Sequence, residues 1–190
     1  MSTRLEDALE ACLRSLSRGA SVESAVSAFP DLADELRLQM IVAGIVPLKG
    51  PGVRIVLDDS MRLAAPGEDP NRYIIHDYQL RDAVNLLWQA GAESIAINTE
   101  RLVTNTSIYS SGGTIMVNSI RLSPPFVVLA LGDPNAMMDL MSQPSSLRTL
   151  KAQAKAYGLV ISFSIMEEIQ VPAFSGSYVA KYLNVGEPRK

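Results

Sequence analysis

Hydrophobic positions follow two different spacings along this chain, helical at the start and strand-like from about residue 53. Near the N-terminus, apolar residues three to four positions apart predict one face of a helix: Leu5, Leu9, Cys12, Leu13 and Leu16. Ser21 can cap a second helix, and Asp31 can open a third that runs to about Val42. Three helices this short make a poor core alone. We therefore expect them to pack on the rest of the chain or on a second copy of it.

From residue 53 the pattern predicts strands separated by two longer helices. Apolar, β-branched runs indicate strands at 53–57, 94–98, 126–131 and 159–165. A helix beginning at the cap Asp77 and ending at Gly91 shows apolar residues at helical spacing, and residues 135–157 form a second helix that breaks near Pro144. Gly112 and Gly113 join strands 108–110 and 114–117 as a hairpin.

The order of these elements predicts the fold class. Two β-α-β units with a β-hairpin inserted between them make an α+β, ferredoxin-like sandwich, with an antiparallel sheet and both helices on one face. The expected organisation is a helical N-terminal segment at 1–46, a linker at 47–52, the sandwich at 53–175 and a C-terminal tail at 176–190.

Charge and composition narrow the classes of partner. The net charge of −3 and scattered Lys and Arg argue against a nucleic-acid partner. One cysteine and one histidine in 190 residues make a zinc site improbable, and we expect no metal or other cofactor. The apolar run 40–48 is far shorter than the roughly 20 residues that cross a bilayer, and the N-terminus lacks the features of a signal peptide. These features predict a cytoplasmic protein without a transmembrane segment.

Polar residues at the end of the strand 94–98 form the strongest candidate site. Asn98 and Arg101 follow the apolar residues Ile95 and Ile97, and alternation along the strand should place Asn98 under the helix that carries Asn85. An arginine offers five donors in a planar fork. Asn85, Asn98 and Arg101 therefore form either a structural hydrogen-bond network or a pocket for an anion or a peptide carboxylate.

Carboxylates at the end of the strand 53–57 are further candidates. Asp58 could join the ligand pocket, and Asp58 or Asp59 could instead form a turn or bond Arg101 or Arg62. A hydrolase built from Asp58, Asp59 and His76 is the least favoured alternative, because no supporting motif accompanies them.

Several short motifs in a fixed order carry a resemblance to a known family. The chain resembles the bacterial domain-of-unknown-function family 881, the YlxW/YlxX-like proteins, over residues 48–175. The motifs are Pro51-Gly52-Val53, Leu57-Asp58-Asp59-Ser60, Ile75-His76-Asp77, Val84-Asn85-Leu86-Leu87-Trp88, Ala90-Gly91-Ala92-Glu93, Ile95-Ala96-Ile97-Asn98 with Arg101, Pro124-Pro125 and Leu131-Gly132-Asp133-Pro134.

The resemblance implies a ferredoxin-like fold, no established enzymatic activity and a link to cell-division and envelope assemblies. Family members are often membrane-anchored, with a transmembrane helix and a coiled coil before this domain, whereas residues 1–46 here read as short soluble helices. We therefore expect a non-enzymatic interaction or scaffold domain with a protein partner, most simply a homo-oligomer such as a homodimer. The alternative is a sensor that binds a small anionic ligand through Arg101 and Asn98.

Overall fold

The computed structural model describes residues 2–176, so residues 177–190 of the predicted C-terminal tail lie outside the described part. Six α-helices and eight strands form a mixed α+β arrangement along these residues. The helices are α1 Ser2–Ser17, α2 Val22–Val26, α3 Ala33–Val42, α4 Asp77–Gln89, α5 Pro134–Ser142 and α6 Arg148–Tyr157. The strands are β1 Leu48–Asp58, β2 Ser94–Ile97, β3 Glu100–Arg101, β4 Ile108–Ser111, β5 Thr114–Val117, β6 Ile120–Leu122, β7 Phe126–Leu131 and β8 Val160–Val171.

Two antiparallel sheets carry the fold. The larger sheet has the strand order β3-β2-β7-β1-β8, and every neighbouring pair in it is antiparallel. The smaller sheet has the order β4-β5-β6. The inner strand β1 pairs with β7 on one side and along almost the whole of β8 on the other. β7 and β8, which are far from β1 in the sequence, are therefore its neighbours in the sheet.

The main core lies between the larger sheet and the helices α4 to α6. Alternate residues of β1 point to this face, since side chains alternate along a strand, and these are the fully buried Val53, Ile55 and Leu57. They belong to one apolar cluster with residues of α4 and α5: Leu80, Leu87, Met137 and Met141. The smaller sheet adds Ile115 and Val117 to the same cluster.

The three N-terminal helices have a separate small core of their own. Cys12 and Leu36 are fully buried in it, and the Cys12 thiol approaches the Ala25 carbonyl at 3.4 Å. A bidentate ion pair joins α3 to α2, with Arg37 nitrogens 3.1 and 2.6 Å from the Glu23 carboxylate. The helices dock on their own chain, where Gly44 O accepts a hydrogen bond from Phe174 N at 2.7 Å. Among residues 2–176, no helix is both long and apolar enough to cross a membrane.

Most of the predicted elements are confirmed. The α+β class, the hairpin at Gly112-Gly113, strand 126–131 and the break in the helix 135–157 all agree with the structure. The helix after the break ends at Gly158, whose φ of 82° is a left-handed conformation that glycine adopts without strain.

Four details of the prediction are wrong. For two of them, the starts of α3 and α4, local interactions explain the difference. Strand β1 begins at Leu48, so residues 48–52, predicted as linker, are part of a strand that pairs with the far end of β8. Strand β8 continues six residues past 165, to Val171. Asp31 forms an ion pair with Arg4 at 2.8 Å, and Leu32 precedes α3 instead. His76, rather than Asp77, is the N-cap of α4, and its N–H donates to Gln79 Oε1 at 2.8 Å.

We predict that Gly52→Ala destabilises the fold severely. A Cβ at Gly52 would overlap the backbone carbonyl oxygen of Ala130 on β7. A backbone atom inside a sheet can move aside only at a large cost in free energy. The expected loss is about 3 kcal/mol of unfolding free energy, the upper part of the range for overpacked cores. Urea denaturation followed by circular dichroism measures it.

The matched control is Gly50→Ala, two residues earlier on β1. There the new Cβ would meet only Leu131 Cδ2 at 3.8 Å, an ordinary contact. We expect no loss, or a gain of up to about 1 kcal/mol from the lower chain entropy of alanine. Equal effects of the two substitutions would contradict the close approach at Gly52.

Candidate functional site

Asn98 forms the turn between β2 and β3 and bonds the neighbouring strand. Its φ of 52° is left-handed, a conformation that asparagine tolerates better than most residues. Its backbone N–H donates to Val127 O at 2.7 Å, and its side-chain Oδ1 accepts from Val127 N at 2.7 Å. The side-chain oxygen therefore continues the β2–β7 hydrogen-bond ladder past the end of the strand.

Arg101 lies on β3 opposite Ala96 and is 4% exposed. Its Nη1 donates to Val46 O at 3.5 Å and to Pro172 O at 3.3 Å. Val46 follows the N-terminal helices and Pro172 follows β8. The guanidinium thus joins three segments that are distant in sequence: the exit of the helices, the edge of the sheet and the end of the last strand.

Glu100 and Asn118, which the sequence prediction did not include among the site residues, complete this network. The Asn118 side-chain nitrogen donates to Arg101 O at 2.9 Å and to Glu100 Oε2 at 3.3 Å. Asn118 and Ser119 both have positive φ angles in the tight turn between β5 and β6. An asparagine followed by a small polar residue between two apolar runs is a hairpin signal, and it could have predicted β6.

The remaining candidates, Asn85 and Asp58, lie elsewhere. Asn85 is exposed on α4 and lines a cavity of about 510 Å³ between α4 and the loop that joins α5 to α6. Asp58 ends β1, which β7 separates from β2, and its Oδ1 accepts from Asp59 N at 2.9 Å. The structure therefore brings Asn98 and Arg101 together within one turn, and it places Asn85 and Asp58 outside that turn.

The residues of the hydrolase alternative each bond nearby backbone. Asp59 Oδ1 accepts from Ile75 N at 2.7 Å, and burial raises the pKa of the Asp59 carboxyl. His76 Nε2 lies 2.7 Å from Asn71 O. These contacts give Asp59 and His76 structural roles at the start of α4.

β8, with 12 residues, is the longest strand in the described part of the chain and lies at one edge of the larger sheet. Within residues 2–176, β8 pairs only with β1 and is the last strand of the larger sheet. Residues 160–166 carry no charged side chain and no proline or glycine. Val160 and Ile165 are exposed large apolar residues on this strand. An edge of this kind presents unpaired backbone donors and acceptors, to which another strand can bind.

Comparison with known proteins places the chain among uncharacterised bacterial proteins. A family model described as "Bacterial protein of unknown function (DUF881)" matches residues 35–184. The UPF0749 protein Rv1823 of Mycobacterium tuberculosis strain H37Rv is 31% identical over 154 residues, covering 75% of this chain and 48% of that protein. The UPF0749 protein YlxW of Bacillus subtilis strain 168 is 33% identical over 107 residues, covering 56% and 46%. The chain thus spans about half the length of these relatives.

A solved structure shares the fold. The crystal structure of an uncharacterized conserved protein from Mycobacterium tuberculosis superposes with a TM-score of 0.62 and is 26% identical in sequence. The match covers 80% of this chain and 99% of that one. None of these names states an activity, so the proposal of a function depends on the surface of this chain.

We predict that Arg101→Ala lowers the unfolding free energy by about 2–4 kcal/mol. The substitution removes the donor from the carbonyls of Val46 and Pro172, and an unsatisfied buried polar group costs about 1–3 kcal/mol. Arg101→Lys keeps the charge but not the planar fork, so we expect it to recover only part of the loss. Chemical denaturation measures the unfolding free energy of the unchanged chain and of the two variants.

Arg121→Ala is the control, since Arg121 is exposed on β6. We expect it to change the stability by no more than about 0.5 kcal/mol. A small effect of Arg101→Ala, similar to that of the control, would show that the guanidinium does not hold the segments together.

Proposed function

This chain belongs to the DUF881 family of bacterial proteins of unknown function, and from that premise we propose that it is a non-enzymatic protein-interaction domain. Its binding surface is the outer edge of β8, and its partner contributes an added strand. The observation that carries the proposal is the run 160–166 on an edge strand, because natural edge strands are usually protected by charges, prolines or bulges. Strand addition to such an edge is a recurrent mode of protein recognition.

The proposed fold is a ferredoxin-like sandwich with an inserted three-stranded sheet. The order β2-β7-β1-β8 of four strands of the larger sheet supports it, since β1 and β7 are central neighbours and β2 and β8 are the flanking strands. One β-α-β unit runs through α4, and the other runs through α5 and α6. The proposed sandwich covers residues 53–175, extended back to Leu48 by the observed start of β1. In this fold the last strand is at an edge, where it can accept a partner.

The sensor alternative stays a prediction and has weaker support. Asn98 and Arg101 already bond backbone atoms of Val127, Val46 and Pro172, so a ligand would have to compete with these contacts. The link to envelope or division assemblies and the cytoplasmic location are also predictions, the first carried by family resemblance and the second by the sequence.

A photo-crosslinking amino acid placed at position 162 tests the interaction role. Ser162 is exposed on β8, so a crosslinker there lies where a bound strand would be. We expect protein adducts, to a second copy or to another protein, when the full chain is irradiated in a bacterial extract. We also expect Ile165→Lys to remove most of these adducts, because a charge on the edge opposes strand addition.

Two matched controls make the experiment specific. The crosslinker at Gln89, exposed on α4, should give little adduct. Ile120→Lys changes an isoleucine of similar exposure, 48% against 50% for Ile165, on the smaller sheet, and should leave the adducts at position 162 unchanged. If position 162 gives no more adduct than position 89, β8 is not an interaction surface.

A further inference from the structure

The regular part of β8 has two well-defined ends. Residues 160–166 pair in register with β1, from Val160 opposite Asp58 to Met166 opposite Gly52. Beyond Met166 the register shifts, because Glu167 and Glu168 together face the single residue between Gly50 and Gly52. This is a β-bulge, which bends a strand and ends regular pairing at its outer edge. A strand added to β8 therefore has a regular template about seven residues long, from 160 to 166.

The end of the template at the bulge is acidic. Glu167 and Glu168 are both exposed, and Glu168 approaches Lys49 at 3.5 Å in a largely exposed ion pair. Such a pair contributes little stability because water screens it. The two carboxylates thus remain accessible to a positive group from a partner.

The opposite end of the template is bordered by basic side chains. Arg62 donates from Nη1 to Ala156 O at 3.2 Å, and its Cδ lies beside Gly158. Lys155, in the last turn of α6, is exposed. Met61 and Leu63, each 93% exposed, flank Arg62 and add apolar surface at this end. The edge therefore carries Arg62 and Lys155 before residue 160, where Asp58 of β1 lies opposite Val160, no charged residue along the template, and Glu167 and Glu168 after it.

We infer that the strand added to β8 is the β8 of a second copy of this chain, in a symmetric antiparallel dimer. The inference rests on the proposed interaction function. A two-fold axis at Phe163, the middle of the template, places residues equally distant from Phe163 opposite each other. Val160 then faces Met166 of the second copy, and the bulge of each copy comes near Gly158 and Arg62 of the other.

This pairing is self-complementary in both charge and chemistry. The acidic bulge of each copy meets the basic end of the other copy, and the two-fold axis makes two such contacts. One surface of the chain is therefore complementary to itself. The uncharged templates pair with each other in the middle, covering Ile165 and Val160. The two sheets join into one continuous ten-stranded sheet, and neither edge at β8 remains open.

A charge exchange between two variants of the full chain tests the dimer. The first variant carries Glu167→Arg and Glu168→Arg, and the second carries Arg62→Glu and Lys155→Glu. In a dimer of either variant alone, like charges meet at both contacts. In a mixed dimer, opposite charges meet at both contacts, because the arginines of the first face the glutamates of the second. Native mass spectrometry and sedimentation velocity measure the species.

The expected result is a dimer of the unchanged chain, at least about tenfold weaker self-association of each variant, and recovery of a dimer when the variants are mixed. Circular dichroism melting confirms that both variants are folded. Addition of salt should weaken the mixed dimer, since exposed charges are screened within about 10 Å at 0.1 M.

Three results would overturn the inference. The first is an unchanged chain that stays monomeric at several hundred micromolar. The second is a dimer that both sets of substitutions leave intact, which would place the contact on another surface. The third is two weakened variants that do not associate when mixed. In each case the adducts at position 162 still test the interaction function separately. An adduct to another protein, or to residues 177–190 of the same chain, would identify a different occupant of the β8 edge.

Discussion

The pairing of β1 with strands on both of its sides is the constraint on which the rest of the structure depends. Gly52 lies opposite Leu131 of β7 and opposite Met166 of β8, so three strands come together at one residue without a side chain. The Ala130 carbonyl occupies the space that a Cβ would fill. Because β1 joins the edge strand β8 to β7, this close approach sets how three of the five strands of the larger sheet fit together.

A buried polar network fastens the N-terminal helices to this sheet. Burial of a guanidinium is costly unless hydrogen bonds replace its hydration. Arg101 obtains such bonds from the carbonyls of two segments, while Asn118 holds its backbone from the smaller sheet. The same residues that look like a ligand site in the sequence thus act as a joint between parts of one chain.

The sequence predicted elements that depend on local chemistry. The Gly112-Gly113 turn, strand 126–131 and the stop at Gly158 follow from backbone preferences that neighbouring residues alone decide. The start of β1 at Leu48 was missed because Gly50, Pro51 and Gly52 disfavour a strand locally, and only the partner β8 makes them one. The site could be predicted as polar residues near Asn98 and Arg101, but their partners could not, because Arg101 bonds Val46 and Pro172, each more than fifty residues away, and Asn98 bonds Val127 of another strand.

The separate small core of the N-terminal helices has a consequence for the way this protein opens. The helical cluster contains few buried residues compared with the cluster beneath the sheet. Cooperative units with little buried apolar surface open at lower free energy than the whole protein. The helices before Leu48 can therefore open as a cooperative unit while the sheet stays folded, which breaks the contacts of Gly44 and Val46 with Phe174 and Arg101 and separates the helical cluster from Leu48. We then expect thermal unfolding in two steps, of which the first releases Phe174, in the segment after β8, from its hydrogen bond to Gly44 O.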